Sequence, residues 1–438
     1  MKTLIKNIAE LYTGQQAESQ KSQFILIDDN YIEKIAPMAE LTLADEYDRV
    51  IDAAGKMVLP GLINTHTHSA MTLLRGYADD MPLDSWLQDK IWPFESEVSA
   101  DDIYWGTALA AIEMIKTGTT TFSDMYFAMP QVAELVADSG MRAVLAEGLI
   151  EANDGQAGLE KALEFACEYN NTAEGRITTM LAPHAPYTCS EEYLAQITDL
   201  AAANDLAVHI HISESKKELA NFQKDQQRSP IKFLADINFF KNHVVAAHCV
   251  HLAPGDLEIF RKNKVNVSHN PMSNAKLANG IAPVVDYLKN EINVGLGTDG
   301  VSSNNSLDLI KEARMAAYLQ KIKYSDPTVL PTDQLLAMLT QHGARALNLN
   351  NVGELAAGKL ADLIIINIDQ TSFSIPRHNN LSNLFYAADS QVIESVMING
   401  RLVLDSGELK TLDQEKIFYE VEKRAFKIAD KLKGVSNE

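Results

Sequence analysis

The sequence predicts an α/β protein, a (β/α)8 TIM-like barrel carrying a small β-sandwich built from both chain termini. Three observations predict it. From about residue 57 to 350, short apolar runs alternate with amphipathic stretches, the signature of βαβ units in a parallel sheet. Both ends of the chain read instead as β-hairpins. Finally, seven of the 11 histidines fall at four predicted strand ends, where barrels of this kind gather their functional side chains.

Residues 1–56 have β texture and form the first part of the predicted sandwich. Within them FILIDDNYIEKIA alternates apolar and polar around an Asp-Asp-Asn turn. An apolar run from Met57 to Ile63 then reads as a short buried strand leading into THTHSA. Barrel strands are expected near 58–64, 119–123, 141–146, 176–182, 206–211, 243–248, 265–268 and 292–298. Eight strands with intervening helices over this length match a (β/α)8 barrel spanning 57–350. One intervening helix, Glu191–Asn204, opens with Ser190 as N-cap and two glutamates in its first turn. After a helix near 332–347 the β texture returns in GKLADLIIINID and IESVMINGRLVLD, with Asn399-Gly400 at a hairpin turn. Residues 351–438 thus complete the sandwich and end in a charged helix.

The 438 residues are 46% hydrophobic, enough for a large core. A formal charge of −21 argues against nucleic acid and anionic membrane as partners, since both need a basic face. No run approaches the ~20 apolar residues of a membrane span, and MKTLIKNIAELYTGQ does not read as a signal peptide. Three scattered cysteines (Cys167, Cys189, Cys249) suit a reducing cytoplasm and build neither a disulfide framework nor a cysteine zinc site. The expected partner is a small molecule. Barrels of this size often associate, so a homo-oligomer is compatible with the sequence, which marks no interface.

His66 and His68 lie two apart after the first strand, so both imidazoles aim at one spot. The fourth strand runs into LAPHAPYTCS with His184, and the fifth ends HIHISES with His209, His211 and then Glu214. The sixth ends AAHCVHL with His248 and His251, and the eighth ends GLGTDG with Asp299. His209 and His211 share parity; the one nearer the strand end is the expected ligand, which leaves His209 as interior packing. His243, at the opposite mouth, reads as structural, as do His342 and His378. His251 and His269 are placed in loops. An isolated Asp299 would be a helix N-cap, but beside three imidazoles it becomes a carboxylate ligand. His66, His68, His211 and Asp299 then form one N3O set for a single divalent ion, with ligand types that suit Zn2+ first and Fe2+ or Mn2+ as alternatives. Asp299 is placed to take a proton from an attacking water, Glu214 to protonate the substrate, and His248 to orient the water.

The HTH pair after PGLIN, with HIHISES, AAHCVHL, SHNPMSNAKLANGIAPV, GLGTDGVSSNNSLDL and GKLADLIIINID, resembles the amidohydrolase superfamily. More narrowly, these segments resemble its 5′-methylthioadenosine/S-adenosylhomocysteine deaminase branch. The resemblance spans nearly the whole chain. It implies a barrel with a composite sandwich and hydrolytic removal of the adenine 6-amino group. It carries the metal ligands onto His66, His68, His211 and Asp299, and the acid that contacts the purine onto Glu214. His248 matches the residue beside the attacking water, His184 a substrate-binding residue, and Glu95 a carboxylate that accepts from the ribose hydroxyls. Trp86 falls where that branch has a pocket aromatic. Read without the resemblance, PLDSWLQDKIWPFE is only an amphipathic surface helix. Some relatives use an arginine after the third strand, whereas EANDGQAGLEKA has none, which favours a neutral 5′ substituent over S-adenosylhomocysteine. The nearest alternatives are a related deaminase or dechlorinase of guanine, cytosine or an s-triazine and, remotely, a non-catalytic scaffold on the same fold.

Overall fold

The computed structural model describes residues 1–14, 18–42, 46–369 and 372–435. Five strands open the chain: β1 (Lys2–Leu11), β2 (Gln20–Asp28), β3 (Tyr31–Pro37), β4 (Arg49–Asp52) and β5 (Lys56–Pro60). Eight follow in the middle: β6 (Leu62–Thr67), β7 (Thr119–Tyr126), β8 (Arg142–Leu149), β9 (Ile177–Pro183), β10 (Ala207–Ile212), β11 (Val244–His248), β12 (Asn266–His269) and β13 (Asn293–Leu296). Four close the set: β14 (Leu363–Asn367), β15 (Ile393–Ile398), β16 (Arg401–Asp405) and β17 (Glu408–Leu409).

β6 to β13 form one eight-stranded sheet in sequence order, with parallel pairing throughout. It curls until its ends meet, where Thr298 and Asp299 backbone N–H groups donate to the His66 carbonyl at 3.2 and 3.0 Å. The other strands make a nine-stranded sheet ordered β17-β16-β15-β14-β5-β1-β2-β3, with β4 on β1. Both termini therefore share one sheet, as the sequence predicts. Its two expected hairpins are present. Asp29 takes a left-handed φ of 52° between β2 and β3, and Asn399 and Gly400 take 52° and 74° between β15 and β16. Both central residues at positive φ give the turn whose twist matches a hairpin.

The first barrel strand differs from expectation. The apolar run 57–63 divides at Gly61: β5 pairs antiparallel with β14 in the sandwich, and β6 alone enters the barrel. Two contacts enforce the division. The Gly61 N–H donates to the Asp362 carbonyl at 3.0 Å, and a Cβ there would lie 2.2 Å from Thr120 Oγ1. The helix expected at 332–347 is two, Thr332–Leu339 and Gln341–Ala346, broken at Thr340 (φ −126°, ψ −96°). Between β8 and β9 the arginine-free segment EANDGQAGLEKA opens the helix Glu151–Tyr169, interrupted at Gly155 (φ 52°, ψ −149°). His269 ends β12 rather than lying in a loop, and it is fully buried. Ser190 caps Glu191–Ala203 as predicted, accepting from the Tyr193 N–H at 3.2 Å.

Candidate active site

The predicted ligands and acid–base residues, His66, His68, His211, Glu214, His248 and Asp299, lie together with His184 at the C-terminal ends of the barrel strands. His66 lies in β6 and His68 just beyond it, His211 near the end of β10, and His248 at the last position of β11. Three strand ends turn sharply here, with left-handed φ at Ser213 (52°), His248 (71°) and Asp299 (62°). Such backbone is costly for side-chain-bearing residues and collects where side chains must be re-aimed.

The ring tautomers follow from the partners. His68 Nδ1 sits 2.5 Å from the Met125 carbonyl and His211 Nδ1 2.7 Å from the His184 carbonyl. A carbonyl oxygen only accepts, so each Nδ1 carries a proton, and in the neutral ring Nε2 keeps its lone pair. His66 Nδ1 meets His209 Nε2 at 3.0 Å. From His66 and His68 the Nε2 atoms face Asp299 Oδ1 at 3.5 and 3.3 Å. The ring centroids of His66 and His68, and of His66 and His211, are 4.8 Å apart. Ligand atoms of His66, His68 and Asp299 lie within 4.8 Å of one another, as do those of His66, His211 and His248.

This donor set fits a divalent metal ion. His66 Nε2 is buried without a hydrogen-bond partner, and lone pairs gathered around a carboxylate are unsatisfied unless a cation joins them. Burial holds the His66 imidazole down at about 4, which favours the neutral, ligating form. Burial also acts against charge on His68, but the Asp299 carboxylate outweighs it and raises that ring to about 9, so without a cation its Nε2 carries a second proton toward Asp299, which a bound ion would displace. For Asp299 burial opposes ionisation, yet the His66 and His68 imidazoles that face it bring it well below the usual carboxylate range. Ser273 and Ser303 hydroxyls donate to its Oδ2 at 2.6 and 3.1 Å, and the Gly300 N–H to its Oδ1 at 2.8 Å.

Glu214 stands beside this cluster. Burial raises its carboxyl above the ordinary value. Asn279 donates to its Oε1 at 2.8 Å, and its Oε2 lies 3.9 Å from His248 Nε2. His248 gives its Nδ1 proton to Asn274 Oδ1 at 2.9 Å, which aims its Nε2 at Glu214 and Asp299. The turn that presents Glu214 is fastened by Glu218, whose carboxylate accepts from the Ser213 and Glu214 N–H groups at 2.9 and 2.8 Å.

These groups line a cavity of about 1240 Å³, with His68, His184, His211, Glu214, His248 and Asp299 at its floor. Its other wall comes from the excursion between β6 and β7. Leu83–Trp86 and Trp92–Glu95 are α-helical, but Leu87–Ile91 between them is a π turn, so the segment is not the simple helix the sequence suggests. Pro93 has no N–H, and its ring disfavours the carbonyl one turn back, which widens the turn. Trp86 is buried, donates from Nε1 to the Ala78 carbonyl at 3.1 Å, and lines the cavity. Glu95 lines it too, with Oε1 accepting the Tyr126 hydroxyl at 2.5 Å. Burial raises the Glu95 carboxyl, while Tyr126 and His68 pull it the other way. His184 donates from Nδ1 to Thr188 Oγ1 at 3.1 Å, and burial holds its ring at about 4. Among the described lining residues the one lysine or arginine is Lys217. Arg142 points away to the barrel base, where it pairs with Asp362.

One expectation changes: His209 is a hydrogen-bond partner of His66 rather than packing alone. His251 stays in a loop as expected, donates to the Asn279 carbonyl at 2.6 Å and lies outside the cavity lining. Tyr126 and Asn279, unmarked in the sequence reading, hold the two glutamates. The first ends the second barrel strand, so the strand-end rule could have found it; the second lies inside SHNPMSNAKLANG, where nothing local distinguishes it.

The amidohydrolase family model matches residues 57–403. A 5-methylthioadenosine/S-adenosylhomocysteine deaminase of Halothermothrix orenii is 49% identical over 97% of this chain and 99% of its own length. Another, from Thermoanaerobacter pseudethanolicus, is 46% identical over 97% and 99%. Among solved structures, an adenosine deaminase from Xanthomonas campestris with bound zinc superposes with a TM-score of 0.93 at 30% identity, covering 98% of each chain. An atrazine chlorohydrolase from Arthrobacter aurescens complexed with zinc has a TM-score of 0.90 at 22% identity, covering 97% of this chain and 100% of its own. That last likeness is one of fold.

Proposed function

Because the chain belongs to the amidohydrolase family, we propose that it is a metal-dependent hydrolytic deaminase of adenine nucleosides. Its substrates are 5′-methylthioadenosine and S-adenosylhomocysteine, and its products are the inosine analogue and ammonia. The observation that carries this reading is one buried cluster beneath the cavity, in which the Nδ1-anchored His66 and His68 face Asp299 and His211 meets His66, with Glu214 beside it and Glu95 lining the same cavity. The relatives named for that activity, at 49% and 46% identity over nearly full length, support it.

His66, His68, His211 and Asp299 hold the metal in this reading, and three imidazoles with one carboxylate suit Zn2+, with Fe2+ or Mn2+ as the alternatives. A divalent ion at such a site supplies acidified water, with a pKa near ~7. Asp299 accepts the proton of the attacking water, and His248, anchored through Nδ1, orients that water with Nε2. Glu214 enters the reaction protonated, because burial raises its carboxyl, and donates to purine N1 as oxygen adds to C6. A proton delivered to the exocyclic nitrogen through Asp299 or His248 then lets ammonia leave. His184 presents Nε2 to the bound nucleoside and Trp86 walls the pocket. Glu95, with Oε1 taken by Tyr126, accepts from the ribose hydroxyls. With Lys217 as the one lysine or arginine in the described lining and no arginine, a neutral 5′ substituent is favoured over a carboxylate-bearing one. Three free cysteines fit a reducing cytoplasm.

Ammonia release from a panel of adenine nucleosides and free bases, on metal-loaded wild type and Glu95→Ala, tests the reading. We expect turnover of methylthioadenosine, and a fall of about 10- to 100-fold in kcat/KM in the variant, the worth of one or two hydrogen bonds to a carboxylate. Deamination of guanine or cytosine with none of any nucleoside would overturn it.

A further inference from the structure

His209 is fully buried in the barrel, directly behind His66. The two rings meet nearly edge to face, with centroids 4.9 Å apart and planes at 72°. His66 Nδ1 and His209 Nε2 are 3.0 Å apart, and His209 Nδ1 lies 3.3 Å from Ser123 Oγ. Two imidazole nitrogens in contact share one proton, and either ring can own it. If His209 owned it, His66 Nδ1 would be the acceptor, and the remaining proton of a neutral His66 would sit on Nε2. That is the nitrogen that faces Asp299 at 3.5 Å and has no other partner. A protonated Nε2 cannot ligate a metal.

We propose that His209 is a positioning residue for the metal centre. It accepts the Nδ1 proton of His66, gives its own Nδ1 proton to Ser123 Oγ, and so keeps His66 in the tautomer whose Nε2 lone pair is open to the ion. The inference rests on the metal-centre reading above but not on the identity of the substrate. His68 and His211 need no such device. Their Nδ1 atoms face backbone carbonyls, which accept in any state. His66 is the ligand whose tautomer depends on another side chain. Partners of this kind both orient an imidazole ligand and fix its tautomer, and their loss typically costs 10- to 100-fold in metal affinity.

Zn2+ affinity measured by competition with a chelating dye, on full-length wild type, His209→Leu, His209→Gln and Ser123→Ala, tests the proposal. Leucine fills space without accepting; glutamine restores an acceptor at nearly the reach of Nε2. We expect His209→Leu to weaken Zn2+ binding about 10- to 100-fold, His209→Gln to stay close to wild type, and Ser123→Ala to fall between. Circular dichroism of the metal-free proteins separates folding from binding. The proposal is overturned if His209→Leu binds like wild type, or if His209→Gln is as weak as His209→Leu. Should the leucine variant not fold, 15N spectra of histidine-labelled, Zn2+-loaded wild type decide. Nδ1–H on His209 supports the tautomer, and Nε2–H overturns it. Absence of Zn2+ binding by wild type itself would defeat the metal-centre reading and the present inference together, whereas tight wild-type binding with an indifferent His209 defeats the inference alone.

Discussion

At the scale of single residues, the site is made of polar groups in places that punish error. Asp124 is fully buried and accepts from the Ser69 N–H, the Ser69 hydroxyl and the Thr67 hydroxyl, each at 2.7 Å. It thereby holds the turn that carries His68. Glu218 does the same for Glu214, and its state has a measurable consequence. Burial raises its carboxyl to about 7, against 4.5 for a free glutamate. The folded protein therefore binds a proton more tightly than the unfolded chain does. That contribution to stability is complete below about pH 4.5 and is lost as pH rises through about 7. Subtracting the unfolding free energy of Glu218→Gln from that of wild type isolates it. We expect the difference to fall by an amount on the order of 3 kcal/mol between pH 4.5 and 8. A difference independent of pH would show that Glu218 does not titrate in this range.

At the scale of elements, the junction between barrel and sandwich is one node. The Asp362 carboxylate accepts from Arg142 Nε at 2.8 Å, from Arg142 Nη2 at 3.2 Å and from the Asn399 N–H at 2.7 Å, while its carbonyl accepts from Gly61. One residue thus ties the start of β8, the β15–β16 hairpin and the β5-to-β6 switch together. Both partners are almost wholly buried, with side chains 4% and 1% exposed. Breaking such a pair from one side leaves an unpaired buried charge. We expect Arg142→Ala to lose about 3–5 kcal/mol in chemical denaturation. A loss under about 1 kcal/mol, the size of an exposed pair, would mean that water replaces the arginine. The π turn at Leu87–Ile91 is an element-scale device of another kind, since it leads directly into the helix that carries Glu95.

At the scale of the whole molecule, the architecture separates stability from chemistry. Large apolar side chains fill the shell between strands and helices, whereas the barrel mouth is paved with imidazole and carboxylate. No helix among the described residues is long and apolar enough to cross a membrane. In the proposed reading, an ion held from β6, β10 and the loop after β13 would link opposite sides of the barrel, so its removal would be felt globally. At a free metal concentration 100 times Kd, binding contributes about 2.7 kcal/mol. Dialysis against a chelator should therefore abolish ammonia release and lower Tm by on the order of a few degrees, both restored by added Zn2+. Full activity with an unchanged Tm after verified metal removal would contradict a metal-dependent enzyme.

How much of this was legible in the chain depends on the range of the interaction. Alternation, capping and turn chemistry are local, so the eight barrel strands, the Ser190 cap and the Asn399-Gly400 hairpin stand in the sequence at nearly their observed places. The HxH pairs are legible for the same reason, because a two-residue period on a strand aims both rings one way. His66, His68, His211 and Asp299 are nameable from the sequence, but only the closed barrel brings His68 with Asp299, and His211 with His248, up to His66. What the sequence could not decide was which groups separated in the chain would touch. The division at Gly61 depends on Thr120 and Asp362, the grip on Glu95 on Tyr126, and the tautomer of His66 on a ring 143 positions away. Hydrogen bonds act over about 3 Å in space without regard to chain distance, so only tertiary structure could assign them.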